Sequence, residues 1–249
     1  MCLECNTAHL DRRGLMKLAG LGLAATAISV PAMAASQPPA EAPADIDAAA
    51  PGTTLTPDEA LARLKEGNRR FVEDANACAA NLTKRREEVA LGQQPWAIVL
   101  TCSDSRVTPE LVFGGVTLGE LFVIRNAGNV LDTGALGTIE YGTEHLHAPL
   151  VVVMGHEKCG AVAAACDVAK TGAALEGSIG KMVQPILPVA LKALYSSDDL
   201  VGQTVIDNAR SGAKRIVEES PIVSHLVDEG KVRIVSAVYD IDSGKVRFD

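Results

Sequence analysis

A-I-V-L-T-C-S-D-S-R (residues 97–106) and V-V-V-M-G-H-E-K-C-G (residues 151–160) decide how this chain folds. Each is built on an apolar run of strand length, 97–101 and 150–154. Each delivers metal-capable side chains just past that run: Cys102 in the first, His156 and Cys159 in the second. Apolar runs without polar alternation fit strands of a parallel sheet that is covered on both faces. In such sheets ligands sit outside the carboxyl ends of the strands. Cys102 and His156, 54 positions apart, are therefore expected to meet at one sheet edge.

Between these two stretches, residues 121–124 read as another short apolar strand, followed by the polar loop R-N-A-G-N (125–129) at the same edge. Residues 232–239 read as a fourth strand, and D-S-G (242–244) turns the chain back into 245–248 as an antiparallel edge. Helices fill the intervals. T-P-D-E (56–59) is a capping box with Pro at the first helical position, and Leu61, Leu64, Asn68 and Phe71 then share one face. A short helix is expected over 84–91, another from Thr108-Pro109, and longer ones over 132–147 and from Cys159 to about 170. Pro185 and Pro188 break the next helical stretch. A long helix over 200–219 places Val205, Ala209, Gly212 and Ile216 together and is stopped by Pro221. The expectation is an α/β fold: a mostly parallel central sheet of four strands plus an antiparallel edge strand, flanked by helices, with an N-terminal helical arm. The apolar face of that arm, within 57–91, is expected to be covered by a partner subunit.

Composition narrows the function. The chain has 249 residues, 47% of them apolar, which supports one sizeable core. Its net charge is −8, and no basic block is interleaved with aromatics, so the footprint of a nucleic-acid binder is missing. D-R-R-G-L-M-K (11–17), an apolar stretch over 15–30 and A-M-A (32–34) resemble a twin-arginine export signal with its cleavage site. The stretch is short of the roughly 20 residues of a permanent span. Residues 1–34 therefore read as a signal peptide that directs the protein to the periplasm, with retention as an anchor the alternative. Residues 35–55 read as a flexible Ala/Pro-rich tether and 56–249 as the domain. Cys2, Cys5 and His9 fall in the signal, Cys78 has no assigned role, and Cys166 reads as a small buried hydrophobe.

Two thiolates and an imidazole make a typical catalytic zinc set, with the fourth position left open, and sulfur ligands favour zinc over magnesium or calcium. A helix start at Cys159 helps to supply its thiolate. Asp104 and Arg106 beside Cys102 are costly unless they pair, and a bidentate pair is the natural arrangement. Asp104 would then accept a hydrogen bond from the metal's water. Its alternative role is an Asx-type turn in the serine-rich loop.

C-S-D-S-R, R-N-A-G-N and H-E-K-C-G in this order resemble the β-class carbonic anhydrases, and the resemblance covers the chain from about Thr56 onward. It implies Zn2+ on Cys102, His156 and Cys159, an Asp104–Arg106 dyad, and an even oligomer, a homodimer or larger, whose N-terminal helices wrap the partner. It also implies reversible hydration of carbon dioxide to bicarbonate and a proton, through a hydroxide at the zinc. Gln93, Phe122 and Tyr141 match family positions that line the substrate pocket, and Gly160 matches one whose backbone amide faces the substrate. Val99 stands where the bicarbonate-inhibited subgroup carries Trp, so that regulation is not expected. Three other activities share parts of this pattern. Carbonyl sulfide or carbon disulfide hydrolases share the fold and ligands. A non-catalytic zinc-thiolate protein, with Cys102 and Cys159 oxidising on metal loss, needs no Asp104–Arg106 pair. A zinc nucleobase deaminase lacks its H-x-E and P-C-x-x-C patterns here.

Overall fold

The computed structural model describes residues 52–75 and 82–249. The signal, most of the tether, and Cys2, Cys5, His9 and Cys78 lie outside the described residues. Five strands form one sheet in the order β2-β1-β3-β4-β5: β1 (Ala97–Cys102), β2 (Leu121–Asn126), β3 (Leu150–His156), β4 (Arg233–Tyr239) and β5 (Val246–Phe248). The first four run parallel and β5 pairs antiparallel with β4, as the apolar runs and the D-S-G turn require.

Every residue of β1 and β3 is buried, which explains why neither alternates with polar residues. Their side chains still divide between two faces. Val99, Val152 and Met154 pack on one side with Ala60, Leu61, Leu64 and Phe113, while Ile98, Leu100, Val151 and Val153 pack on the other with Ile139, Ala209 and Ile216. Helix α1 (Pro57–Glu73) and the short α3 (Pro109–Val112) contribute to the first layer. Helices α4 (Thr133–Glu144), α8 (Leu200–Glu219) and α9 (Pro221–Asp228) contribute to the second. Between β3 and α8 come α5 (Gly160–Thr171), α6 (Ile179–Val183) and α7 (Leu187–Ala193), the last two around Pro185 and Pro188.

Three sequence expectations change. The apolar face of α1 lies on the chain's own sheet rather than on a partner: Ala60, Leu61 and Leu64 are buried within one subunit. Gly67 sits so close to the end of α3 that an added Cβ would clash with the Phe113 carbonyl oxygen. Asn68 completes the junction, donating through Nδ2 to Val112 O (3.0 Å) and Gly244 O (2.8 Å) and accepting at Oδ1 from Val246 N (2.8 Å). The second helix, α2 (Leu82–Glu88), begins and ends earlier than expected and buries nothing. Pro221 stops α8 but also opens α9, capped by Ser220 Oγ accepting from Val223 N at 3.2 Å. Among the described residues no helix is long and apolar enough to cross a membrane.

Candidate metal centre

The parallel pairing of β1 with β3, Thr101 opposite Met154, carries Cys102 and His156 to one sheet edge. The turn after β3 brings Cys159 to the same place as the residue before α5. Cys102 Sγ and Cys159 Sγ lie 3.9 Å apart, and one donor atom from each of the three residues falls within 4.8 Å of the others. Tetrahedral zinc with bonds of about 2.3 Å to sulfur needs its sulfurs about 3.8 Å apart, so the spacing fits. The histidine completes the case. His156 is fully buried, and its Nδ1 lies 2.8 Å from the Glu157 carbonyl. A carbonyl only accepts, so the ring proton sits on Nδ1 and Nε2 carries a lone pair. That Nε2 is buried with no hydrogen-bond partner, an arrangement that costs free energy unless a metal takes the lone pair.

Electrostatics around the sulfurs agree. The neighbouring Cys159 thiol pulls the Cys102 thiol down to about 4, with the Gly128 and Asp104 backbone amides acting in the same direction against burial. The same partnership, with burial, pushes the Cys159 thiol up, although the Val162 and Ala161 amides at the start of α5 oppose this. The pair thus releases its first proton readily and keeps its second until a cation arrives.

Asp104 and Arg106 form the expected bidentate pair: Arg106 Nε donates to Oδ1 at 2.9 Å and Nη2 to Oδ2 at 2.7 Å. The Arg106 backbone amide also donates to Oδ1 at 3.0 Å, so the Asx-type turn coexists with the ion pair. The guanidinium holds the Asp104 carboxyl well below the usual carboxylate range. Asp104 Oδ2 also lies 3.9 Å from His156 Nε2, which puts the carboxylate beside the donor cluster.

The pocket residues divide. Gly160 opens α5 next to Cys159. Phe122 lies opposite Ile98 in the β1–β2 register, four residues before the Cys102–Asn126 row, or about 13 Å along the strand. Tyr141 accompanies it, with ring centroids 6.1 Å apart. Gln93 precedes β1, beside the Gln94 N to Gly119 O bond at the sheet's amino edge. Within one chain these three are not brought to the donor cluster.

Residues that the sequence left without a role surround the site instead. Arg125 Nε donates to Cys102 O at 3.1 Å and its Nη2 to Asp104 O at 2.6 Å, tying down the C-S-D segment. Gly128 N donates to Cys102 Sγ at 3.3 Å. Asn129 and Lys158, both adjoining the site, hold φ of 45° and 58°, left-handed conformations that cost side-chain-bearing residues about 1–2 kcal/mol and collect at functional sites. The R-N-A-G-N motif was the signal for Arg125, Gly128 and Asn129, but it did not say what they do.

A family model described as carbonic anhydrase matches residues 97–246. Carbonic anhydrase 2 of Mycobacterium tuberculosis is 34% identical over 189 residues, 76% of this chain and 91% of its own. The β-carbonic anhydrase CafA of Aspergillus fumigatus superposes with a TM-score of 0.60 at 27% identity, over 77% of this chain and 89% of that one. A structure described as one of two tetrameric β-carbonic anhydrases, from Sordaria macrospora, gives 0.58 at 25% identity, over 65% and 84%. With the fold, the donor set and these relatives in agreement, the chain belongs to the β-carbonic anhydrase family.

Proposed function

We propose that this protein catalyses the reversible hydration of carbon dioxide to bicarbonate and a proton, with Zn2+ held by Cys102, His156 and Cys159. The observation that carries the reading is the bare, buried Nε2 of His156 facing two sulfurs at zinc spacing. Bound there, zinc supplies the Lewis acidity that makes a water nucleophilic near neutral pH. The chain's own groups do the rest. Asp104, kept ionised by Arg106, accepts a hydrogen bond from that water and aims its lone pair. Arg106 holds the carboxylate through two donors, fixing its direction. Gly160, at the first position of α5, offers one of the amides that the helix leaves unspent, toward an oxygen of carbon dioxide. Val130, Val162, Ile186 and Val238, packed with the two cysteines, keep the surroundings apolar.

The proposal includes an even oligomer. Gln93, Phe122 and Tyr141 are far from the donors of their own chain, so a second copy must deliver them if they line the pocket. Leu91, Leu111, Leu118 and Tyr141 remain exposed, as an interface between copies requires, and the Sordaria relative is tetrameric. The export pattern in residues 1–34 supports a periplasmic location, which cell fractionation checks.

Stopped-flow carbon dioxide hydration by the zinc-loaded protein, run beside a sulfide-release assay on carbonyl sulfide and carbon disulfide, tests the activity. Hydration dependent on zinc is expected; sulfide release without hydration would overturn the reading.

A further inference from the structure

The two sulfurs obtain their backbone donors in different ways. Cys159 precedes α5, and the amides that face its sulfur, Ala161 and Val162, belong to that helix. Cys102 ends a strand and, besides the Asp104 amide two residues on, takes a donor from elsewhere in the chain, Gly128 N at 3.3 Å. Gly128 lies in a three-residue helical turn (Ala127–Asn129) with φ 76°, a segment with no ladder of its own to aim that amide. Asn126 brackets the turn, its Oδ1 accepting from Val130 N and its Nδ2 donating to Val130 O, both at 2.7 Å. The other support comes from α8. Asn208, buried beside Val205 and Ala209 on the helix's inner face, donates from Nδ2 to Gly128 O at 2.9 Å across 80 residues of sequence. Gly128 is thus held on both sides of its Cα, by Asn208 at the carbonyl and by the Cys102 sulfur at the amide.

We propose that Asn208 is a positioning residue for the metal-binding sulfur of Cys102: it holds the Gly128 carbonyl from α8 so that the Gly128 N–H stays on Sγ. The inference rests on the zinc reading above. A thiolate that accepts a hydrogen bond gives less charge to its metal. Where two thiolates already cancel the ion's charge, one such donor helps the ion to remain a Lewis acid. Asn208 stands beside Val205 and Ala209 on the inner face of α8, and its amide's reach to Gly128 is the feature that distinguishes it from them.

The test uses the whole chain loaded with cobalt(II), with Asn208→Leu and Asn208→Ser as variants that remove the reach in different ways; either one that keeps the wild-type far-ultraviolet circular dichroism suffices. In a folded variant the sulfur-to-cobalt charge-transfer band is expected to move to lower energy, and, because the Cys102 sulfur is no longer held toward the other two donors, zinc to pass to a chelator about tenfold faster. Asn208→Gln, which keeps the donor, is expected to recover part of both. A folded variant with unchanged band and unchanged zinc release overturns the proposal. In the wild type loaded with an NMR-active cadmium isotope, a scalar coupling from the Gly128 amide proton to the metal through Cys102 is expected. Its absence overturns the proposal even if neither variant folds. Failure of the wild type to take up cobalt, cadmium or zinc would instead overturn the zinc reading itself, and is recognised before any variant is made.

Discussion

Replacing Gly128 by alanine puts a methyl group where two demands conflict. The backbone there has φ 76°, and a residue with a Cβ pays about 1–2 kcal/mol to enter the left-handed region. The added Cβ would stand 2.7 Å from Ile186 Cδ1 and 3.1 Å from Ala161 Cβ, an overpacking that typically costs about 1–3 kcal/mol. Together Gly128→Ala should lose about 2–5 kcal/mol, a large fraction of the roughly 5–15 kcal/mol that holds a domain folded. Urea unfolding of zinc-free protein at matched concentration reads this directly. With a slope of about 3 kcal/mol per molar for a chain of this size, the midpoint should fall by about 1 M. The two costs can be separated because Ile186→Val deletes the very atom at 2.7 Å. Alone it should cost about 0.5–1.5 kcal/mol. Combined with Gly128→Ala it should give back about 1–2 kcal/mol relative to additivity, while the backbone cost stays. A midpoint within about 0.2 M of wild type for Gly128→Ala would refute the whole argument, and strict additivity would refute its steric half.

Cys102→Ser, His156→Ala and Cys159→Ser should each lose zinc and hydration together, and full zinc with full turnover in any one of them would sink the donor assignment. Asp104→Asn should retain zinc and lose most of its hydration rate; wild-type turnover would return Asp104 to its turn role alone. Zinc uptake should release about one proton from the cysteine pair between about pH 6 and 8, because Cys102, pulled down to about 4, arrives as thiolate while Cys159, pushed up, arrives protonated. Affinity should therefore rise about tenfold per pH unit; calorimetry in buffers of different ionisation heat counts the protons, and a count of zero contradicts the assignment. Hydration should rise with pH between about 7 and 9, since two thiolates leave the ion's water a weaker acid than a three-imidazole site would. A flat profile at constant zinc occupancy would show that Arg106 and the backbone amides offset the lost charge.

Much of this was legible because the informative residues act through side chains at fixed places. Val151, Val152 and Val153 say strand in any context, and Cys102, His156 and Cys159 declare their chemistry by type. The long helix was legible to its last residue, since Pro221 must stop it, but the same proline is a favourable first residue for the next helix, and that second meaning went unread. Gly67 hid the fate of α1: nothing local says that the helix backbone will lie against Phe113, so its apolar face looked unpartnered. Arg125, Gly128 and Asn208 stayed silent for a related reason. They act on or through main-chain carbonyls and amides, groups that every residue carries and no sequence pattern distinguishes. Phe122 and Tyr141 could be named from the resemblance, but their distance from the donor row depends on strand register, which only the assembled sheet reveals.

That register has a consequence for the history of each molecule. Cys102 and His156 come together only after β1 and β3 have paired side by side, a contact between distant parts of the chain that forms slowly compared with local helices. A slip of one residue in either strand would turn its side chains to the opposite face and carry a ligand out of reach of its partners. With zinc held as proposed, metal capture would act as a proofreading step. A misaligned sheet would present too few ligands to retain the ion, whereas the aligned one would be locked by it, so holding the metal would certify that the chain has been assembled in frame.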